Sequence, residues 1–361
     1  MCGRAGGCNR NGRDPGWIAA RRNELTISHG GNLFAIAKER GWDWREMLDL
    51  SASINPLGPA PGVRPAVEEA LERISHYPAQ MPGELEQTLA AQWGISPSQV
   101  MAGGGATELL HFVARAGWTG PAALVTPVWS EFYRAFPHAL RVPLDEPEKW
   151  PQRGLLVISQ PVNPSGLEVP VGVLRRAIAG REGPVLIDES FIEFTRLESA
   201  VWWTGQHPNL LVLRSLSKFH ALPGLRIGAL AGSKEWMERL ARRREPWQVS
   251  TLAEAAAVAA VRDLDHAEAT RQLVETERAW MVEQLADLPG LELSPGVANF
   301  LFAATTRPAQ EICDWFLERK IILRNCTRLP GVNGEAIRFA IRTRAENERF
   351  AAAAREYFCG D

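Results

Sequence analysis

Five short apolar runs in the central part of the chain have the length of β-strands and alternate with segments of helical pattern. They cover residues 123–126, 155–159, 185–188, 210–213 and 227–231. This alternation predicts an α/β fold, in which a largely parallel sheet is covered by helices on both faces. Ligands of such sheets bind beyond the carboxyl ends of the strands. Polar residues that follow these runs are therefore candidates for a functional site.

Lys218 lies between two of these runs, in the segment SLSKFHALPGLR. A lysine amine can form a Schiff base with a carbonyl compound, which is the usual chemistry of a catalytic lysine. Ser215, Ser217 and Arg226 flank it and would suit the phosphate of such a compound. The alternative is a surface loop whose lysine and arginine are merely solvated.

Three further motifs precede this segment. The motif AGGGAT at residues 102–107 joins a predicted strand to a helix start, where free N–H groups can bind an anion. An ordinary strand–helix turn is the alternative for these glycines. The motif NPSG begins at Asn163 and the motif DE begins at Asp188. Because each follows or ends a predicted strand, we expect Asn163, Asp188 and Lys218 to meet at one edge of the sheet.

In this order, the motifs resemble the fold-type I enzymes that depend on pyridoxal phosphate (PLP), over about residues 28–355. The resemblance implies a large domain with a mostly parallel seven-stranded sheet sandwiched by helices, and a smaller α+β C-terminal domain. We predict a disordered leader at residues 1–24 and an N-terminal arm, joining the small domain, at 25–60. The PLP domain would then cover 61–285 and the small domain 286–361.

The resemblance also assigns roles to the polar residues at the strand ends. Lys218 would bind the PLP aldehyde, Asp188 would pair with the pyridine nitrogen, and Asn163 would donate to the phenolic oxygen of the ring. Related enzymes often have a tyrosine three residues after the aspartate, also bonded to that oxygen. Here that position is Phe191, so this role is not carried over. The implied phosphate contacts are Gly105, Ala106, Thr107, Ser215, Ser217 and Arg226.

Two aromatic residues match further positions of the same family. Trp129 matches the residue that stacks on the PLP ring, although a tryptophan is more often a core residue. Tyr77 matches a tyrosine that reaches the PLP phosphate of the neighbouring subunit. The resemblance therefore implies a homodimer with shared active sites.

Arg338 lies in the predicted strand 336–341 and matches the arginine that binds the α-carboxylate of the substrate. A planar guanidinium can bind a carboxylate through two parallel hydrogen bonds. A surface salt bridge is the alternative for a single arginine.

Motifs near the two ends of the chain distinguish members of this family. SHGGN at 28–32, SASINPLGP at 51–59 and LRNC at 323–326 look like the L-threonine-O-3-phosphate decarboxylases of cobalamin biosynthesis. Ser53 stands where such relatives commonly have asparagine. The histidinol-phosphate aminotransferases share the central motifs and are the alternative. The implied substrate is a phospho-amino acid, with contacts at His29, Gly31, Asn32, Asn55, Asn163, Arg324 and Arg338.

Composition excludes several other classes of protein. The 361 residues carry a formal net charge of -2, which gives no global attraction to nucleic acid or membranes. The sequence contains no apolar run of about 18 residues and no secretory signal pattern. Five scattered cysteines without a CxxC pair predict neither a disulfide framework nor a metal site, and favour the cytoplasm. A leader of about 24 residues is too short for the DNA-binding domain of a PLP-domain regulator.

Overall fold

The computed structural model describes residues 30–117 and 120–360. The predicted leader and His29 lie outside these residues. The central element is a seven-stranded sheet with the order β2-β8-β7-β6-β5-β3-β4. Its strands are β2 (Val100–Gly103), β3 (Ala122–Thr126), β4 (Leu140–Pro143), β5 (Leu155–Ser159), β6 (Val185–Asp188), β7 (Leu210–Ser215) and β8 (Gly228–Gly232).

Strands β4, β3, β5, β6 and β7 are parallel, whereas β8 is antiparallel to both β7 and β2. The central strands are buried on both faces, which explains their nearly continuous apolar sequences. Alternate side chains enter two separate cores: Ile187 and Val212 face one, and Leu186 and Leu213 face the other. The predicted mostly parallel seven-stranded α/β fold is confirmed.

The C-terminal part forms a second, antiparallel sheet with the order β12-β13-β10-β9. Its strands are β9 (Leu291–Leu293), β10 (Phe300–Thr305), β12 (Arg324–Asn325) and β13 (Glu335–Ala340). The N-terminal arm adds β1 (Leu48–Asp49), which pairs in parallel with β11 (Ile321–Ile322). The predicted domain boundaries at 24, 60 and 285 stay predictions.

Helices cover both sheets. They are α1 (Leu33–Arg40), α2 (Val63–Ala70), α3 (Gly83–Trp93), α4 (Ala106–Ala114), α5 (Ser130–Ala135), α6 (Val171–Ile178), α7 (Leu216–Phe219), α8 (Lys234–Ala241), α9 (Thr251–Arg262), α10 (Leu264–Leu285), α11 (Ala309–Glu318) and α12 (Arg344–Cys359). Within the described ranges, no helix has the length and apolar character needed to cross a bilayer.

Among the elements that the sequence patterns do not predict are β4 and α5. Strand β4 lies at the sheet edge, has two exposed residues and ends in Pro143, so it lacks the apolar run of a central strand. Helix α5 has only six residues, which is too short for a helical period to stand out.

Candidate active site

Lys218 lies in the short helix α7, directly after β7, and its side chain is partly buried. Its Nζ is 5.6 Å from the ring centroid of Phe191. Burial lowers the pKa of Lys218 to about 8, although the Asp188 carboxylate opposes this shift. A lysine with such a pKa carries a substantial neutral fraction near pH 8, and the neutral amine is the form that attacks a carbonyl carbon.

Asp188 ends β6 and is buried beside the lysine segment. Its Oδ1 accepts hydrogen bonds from the main-chain N–H of Ser190, at 3.0 Å, and from Ser190 Oγ, at 2.5 Å. Burial raises the pKa of Asp188, while the two Ser190 bonds and the Lys218 charge oppose the rise. A buried carboxylate at this position is a suitable partner for a protonated ring nitrogen.

A concave backbone segment at the start of α4 forms the predicted phosphate site. Gly105 precedes the helix with φ 103°, a conformation that favours glycine. A Cβ on Gly105 would lie 2.9 Å from Arg226 Nη2, so glycine lets the guanidinium approach this turn closely. Ala106 and Thr107 are the first helical residues, whose free N–H groups can bind an anion.

The two serines of the lysine segment border this site on the neighbouring strands. Ser215 ends β7 and pairs with Gly228 of β8, where a Cβ would lie 2.7 Å from the main-chain nitrogen of Ala106. Ser217 is buried, with Oγ 3.4 Å from the carbonyl oxygen of Ile227. The fold therefore brings the glycine turn, both serines and Arg226 together, as a phosphate site requires.

Arg338 extends from β13 toward the end of the large sheet. Its Nη1 donates to Asn163 Oδ1 at 2.5 Å, and its Nη2 donates to the carbonyl oxygen of Ser51 at 3.4 Å. The guanidinium carbon lies 4.8 Å from the ring centroid of Phe300. Burial lowers the pKa of Arg338 to about 10. Its buried Nε has no hydrogen-bond partner in the described structure, so the group retains capacity for a further anionic ligand.

Arg324 pairs with Arg338 across β12 and β13 and is buried. It lines a pocket of about 160 Å³ between the small sheet and the N-terminal arm, together with Gly30, Asn32 and Ser51. The N–H of Gly31 donates to Ser51 Oγ at 2.9 Å, which holds this part of the arm against β1. The pocket thus collects two of the predicted substrate residues, and a third, Gly31, adjoins it.

Asn55 is buried against the lysine segment. Its Nδ2 donates to the carbonyl oxygen of Phe219 and to Thr270 Oγ1, both at 2.8 Å, and its Oδ1 accepts from the N–H of Leu57 at 2.9 Å. The main-chain N–H of Asn55 donates to the carbonyl oxygen of Lys218 at 3.0 Å. The predicted substrate contact of Asn55 stays a prediction, since the polar atoms of its side chain already bond the protein.

The two predicted aromatic contacts have different surroundings. Trp129 directly precedes α5, is partly buried, and meets Phe132 edge to face with ring centroids 6.0 Å apart. Tyr77 is 81% exposed and stacks on Trp247 at 4.7 Å. The carbonyl oxygen of Gln248, next to Trp247, would lie 3.5 Å from a Cβ on Gly104. Tyr77 therefore lies on a surface that borders the phosphate site.

Sequence reasoning missed three residues of the site: Ser51, Ser190 and Phe300. Ser190 directly follows the Asp-Glu pair and could have been found as a local hydrogen-bond donor to Asp188. Ser51 and Phe300 contact Arg338 from segments far away in the chain. Ser51 begins the SASINPLGP motif, but neither that motif nor the sequence around Phe300 indicates a contact with Arg338. The residues assigned to PLP fit it: a partly buried amine, a buried carboxylate and a glycine-lined helix start beside Arg226.

Comparisons with known proteins agree with this site. Residues 137–353 match the model of the family described as aminotransferase class I and II. The chain is 34% identical to the threonine-phosphate decarboxylase of Salmonella typhimurium, over 92% of this chain and 97% of that protein. It is 28% identical to the histidinol-phosphate aminotransferase of Methanothermobacter thermautotrophicus, over 89% and 91% of the two chains.

Among solved structures, the histidinol-phosphate aminotransferase from Clostridium acetobutylicum superposes with a TM-score of 0.81 at 23% identity. The match covers 87% of this chain and 100% of that chain. The predicted resemblance and the predicted cofactor, PLP, are confirmed. The chain therefore belongs to the aminotransferase class I and II family.

Proposed function

We propose that this protein decarboxylates L-threonine O-3-phosphate to (R)-1-amino-2-propanol O-2-phosphate and CO2, as a step of cobalamin biosynthesis. One observation carries the proposal: Arg324, which is buried, and Arg338, which is partly buried, lie side by side on neighbouring strands of the small sheet, close to the end of the large sheet. A phospho-amino acid has two anionic groups, a carboxylate and a phosphate, and each needs a cationic partner. The 34% identity to a threonine-phosphate decarboxylase also supports it.

The two arginines are suited to different groups. Arg338 contacts Asn163, and its charge contributes to the lowered pKa of Lys218, so it would bind the α-carboxylate close to the reacting carbon. Arg324 shares its pocket with Asn32 and Gly30 of the arm and would bind the phosphate. Burial lowers the pKa of both guanidinium groups, yet the arginines stay charged near neutral pH and become better paired when an anion enters.

PLP, when bound, supplies the electron sink that accepts the electron pair of the broken Cα bond. The residues of the chain decide which bond this is. By holding the carboxylate, Arg338 would help to decide which bond to Cα is broken, together with the phosphate contact proposed for Arg324. Lys218, with a pKa of about 8, can exchange a proton near neutral pH and would protonate Cα after CO2 leaves.

Transamination of histidinol phosphate is the second candidate function. The same lysine, aspartate and phosphate site would serve it, and the chain is 28% identical to one such aminotransferase. In that reaction a Cα–H bond breaks instead, and the substrate carries a phosphate but no α-carboxylate for Arg338 to bind. Orientation of the substrate therefore separates the two activities.

A homodimer with shared active sites is part of the proposal. Tyr77 is 81% exposed. Apolar surface is also exposed on its neighbours in the chain, Leu71, Ile74 and Met81, and on Trp247, which stacks on its ring. Exposed apolar patches commonly mark protein interfaces. A partner on this surface would bring Tyr77 to the phosphate site of the other subunit. We place the protein in the cytoplasm, where its thiols stay reduced.

The test is incubation of the PLP-loaded protein with L-threonine O-3-phosphate, without any keto acid, followed by mass spectrometry. We expect CO2 and aminopropanol phosphate in equal amounts. A parallel reaction contains histidinol phosphate and 2-oxoglutarate. Keto-acid-dependent transamination in that reaction, with no CO2 from threonine phosphate, would establish the aminotransferase instead.

A further inference from the structure

A buried charged cluster lies behind the active site, on the opposite face of the large sheet. Side chains alternate between the two faces of a strand. Asp188 and Ser215 face the active site, so the neighbouring residues Glu189 and Arg214 point to the other face, where Arg214 lies 5.4 Å from the Trp93 ring centroid. Glu189 follows β6 directly, and its N–H bonds the carbonyl oxygen of Leu213 in β7 at 2.8 Å.

Glu189 and Arg214 are a fully buried ion pair. Arg214 Nε is 3.0 Å from Glu189 Oε2, and both side chains are at most 5% exposed. Ser199 joins them: it accepts from Arg214 Nη2 at 2.8 Å and donates to Glu189 Oε2 at 2.7 Å. The N–H of Ala200 donates to Glu189 Oε1 at 2.6 Å. Three hydrogen bonds thus hold the pair in place, although Arg214 Nε has no hydrogen-bond partner in the described structure and burial raises the pKa of Glu189.

The cluster continues to the far side of the lysine helix. Glu193 Oε2 is 3.8 Å from Arg214 Nη1, and Glu193 Oε1 is 3.6 Å from His220 Nε2. Arg214 lies four residues before Lys218, and His220 lies two residues after it. The charged groups therefore contact the chain on both sides of the lysine while remaining out of reach of the cofactor and substrate.

We propose that Glu189 and Arg214 are positioning residues for the cofactor site. Each is covalently next to a residue that the cofactor requires: Glu189 next to Asp188, and Arg214 next to Ser215. Their ion pair fixes the ends of two adjacent parallel strands relative to each other. This sets the distance between the carboxylate that would bind the ring nitrogen and the segment that would bind the aldehyde and the phosphate. In this role Glu189 and Arg214 act by holding the two strand ends in place, and neither side chain contacts PLP.

The test measures PLP affinity separately from stability. Cofactor-free Glu189→Gln protein is titrated with PLP, and binding is followed by absorbance. Outer residues that orient ligand-binding groups commonly alter affinity by about tenfold or more, and we expect a loss of that size here. Thermal unfolding of the cofactor-free protein is recorded in parallel. Glu277→Gln is the matched control, because Glu277 is also buried and accepts hydrogen bonds from Arg344 and Asn347. Glu277 lies in α10 and its two partners lie in α12, so this cluster does not join the ends of β6 and β7.

A second variant separates positioning from stability alone. Glu189→Gln combined with Arg214→Met removes both charges, so that neither is left buried without a partner, and stability should return toward that of the wild type. We expect its PLP affinity to remain about tenfold weaker. Wild-type affinity in a stable double variant, or equal losses of affinity in Glu189→Gln and Glu277→Gln, would overturn the proposal. Because no substrate is used, the result is independent of which reaction the enzyme catalyses.

Discussion

Arg338 Nη1 donates to Asn163 Oδ1 over 2.5 Å, which connects the small sheet to the end of the large sheet at the reacting centre. Asn163 follows β5 and Arg338 lies in β13, 175 residues further along the chain. This bond uses the oxygen of the Asn163 amide, so its nitrogen is the atom that we propose as the donor to the cofactor. The bond also holds Arg338 with an unpaired Nε, which we propose as a donor to the substrate.

Replacing Arg338 by lysine should impair substrate binding more than cofactor binding. Lysine keeps the charge but loses the planar pair of donors that binds a carboxylate. We expect KM for threonine phosphate to rise about tenfold or more, with PLP affinity changed by less than about twofold. Arg342→Lys is the control, because Arg342 bonds mainly Glu346. Similar KM values in both variants would exclude Arg338 as the carboxylate site.

The charged amine of Lys218 should lower the free energy of unfolding of the cofactor-free protein. Its pKa is about 8 in the folded state, against 10.5 for an ordinary lysine, so the folded state disfavours the charged amine. This cost is fully present below pH 8 and disappears as the pH rises toward 10.5. We expect Lys218→Met to raise the free energy of unfolding at pH 7 by an amount on the order of 1–3 kcal/mol, and by less at pH 10.

Turnover by Lys218→Met or Lys218→Ala should be lost, because the amine that would bind the aldehyde is gone. Urea unfolding of the cofactor-free wild type and Lys218→Met, at pH 7 and at pH 10, checks the prediction on the free energy of unfolding. Full activity of Lys218→Ala without an added amine would contradict the assignment of the lysine.

Replacing Asn55 by alanine should lower kcat and leave KM unchanged. Truncation by Asn55→Ala leaves the carbonyl oxygen of Phe219 without its Asn55 donor and Thr270 Oγ1 without one bond, which costs about 1–3 kcal/mol. Because Asn55 holds the helix that carries Lys218, we also expect kcat to fall several-fold. Asn209→Ala is the control, because it loses hydrogen bonds to the carbonyl oxygens of Ile178 and Gly183, which precede β6. A substrate contact of Asn55 would instead appear as a raised KM.

Gly105 should be required for cofactor binding. In Gly105→Ala, the backbone conformation with φ 103° is strained, and the new Cβ would lie 2.9 Å from Arg226 Nη2, so the guanidinium must move from its position beside the phosphate site. We expect PLP affinity to fall about tenfold or more. Gly94→Ala also places alanine at positive φ, at 66°, but in the left-handed helical region where the strain is smaller, and its Cβ would meet no atom within 4 Å. It should lose about 1 kcal/mol of stability and bind PLP normally.

Tyr77 tests the shared active site of the proposed dimer. Tyr77→Ala should weaken PLP binding, and Lys218→Ala should be inactive. When the two variants are mixed and allowed to exchange subunits, one site of each heterodimer contains Lys218 with an intact Tyr77 from its partner. We expect activity at limiting PLP to exceed that of either variant alone. A mixture no more active than Tyr77→Ala by itself would show that each site uses only its own chain.

Local sequence was sufficient to predict the candidate site residues that lie at the ends of strands. Asn163, Asp188 and Lys218 follow or end apolar runs, and parallel strands bring such positions to one edge of the sheet. The glycine turn before Ala106 was likewise predictable, since a strand, a turn and a helix start are contiguous in the chain. The family resemblance then assigned the chemistry to these positions.

Tertiary structure alone decided which distant residues complete the site. The bonds of Arg338 to Asn163 and Ser51, the contacts of Asn55 with the lysine helix, and the buried pair of Glu189 and Arg214 join segments whose separation no local period encodes. Glu189 is buried against Ser199 and Arg214, and Asn55 is buried against Phe219 and Thr270, and nothing in the neighbouring sequence predicts either set of contacts. Sequence patterns alone were enough for the α/β class and for the edge of the sheet where the candidate site lies, whereas packing between the two sheets and the N-terminal arm decided how that edge is held.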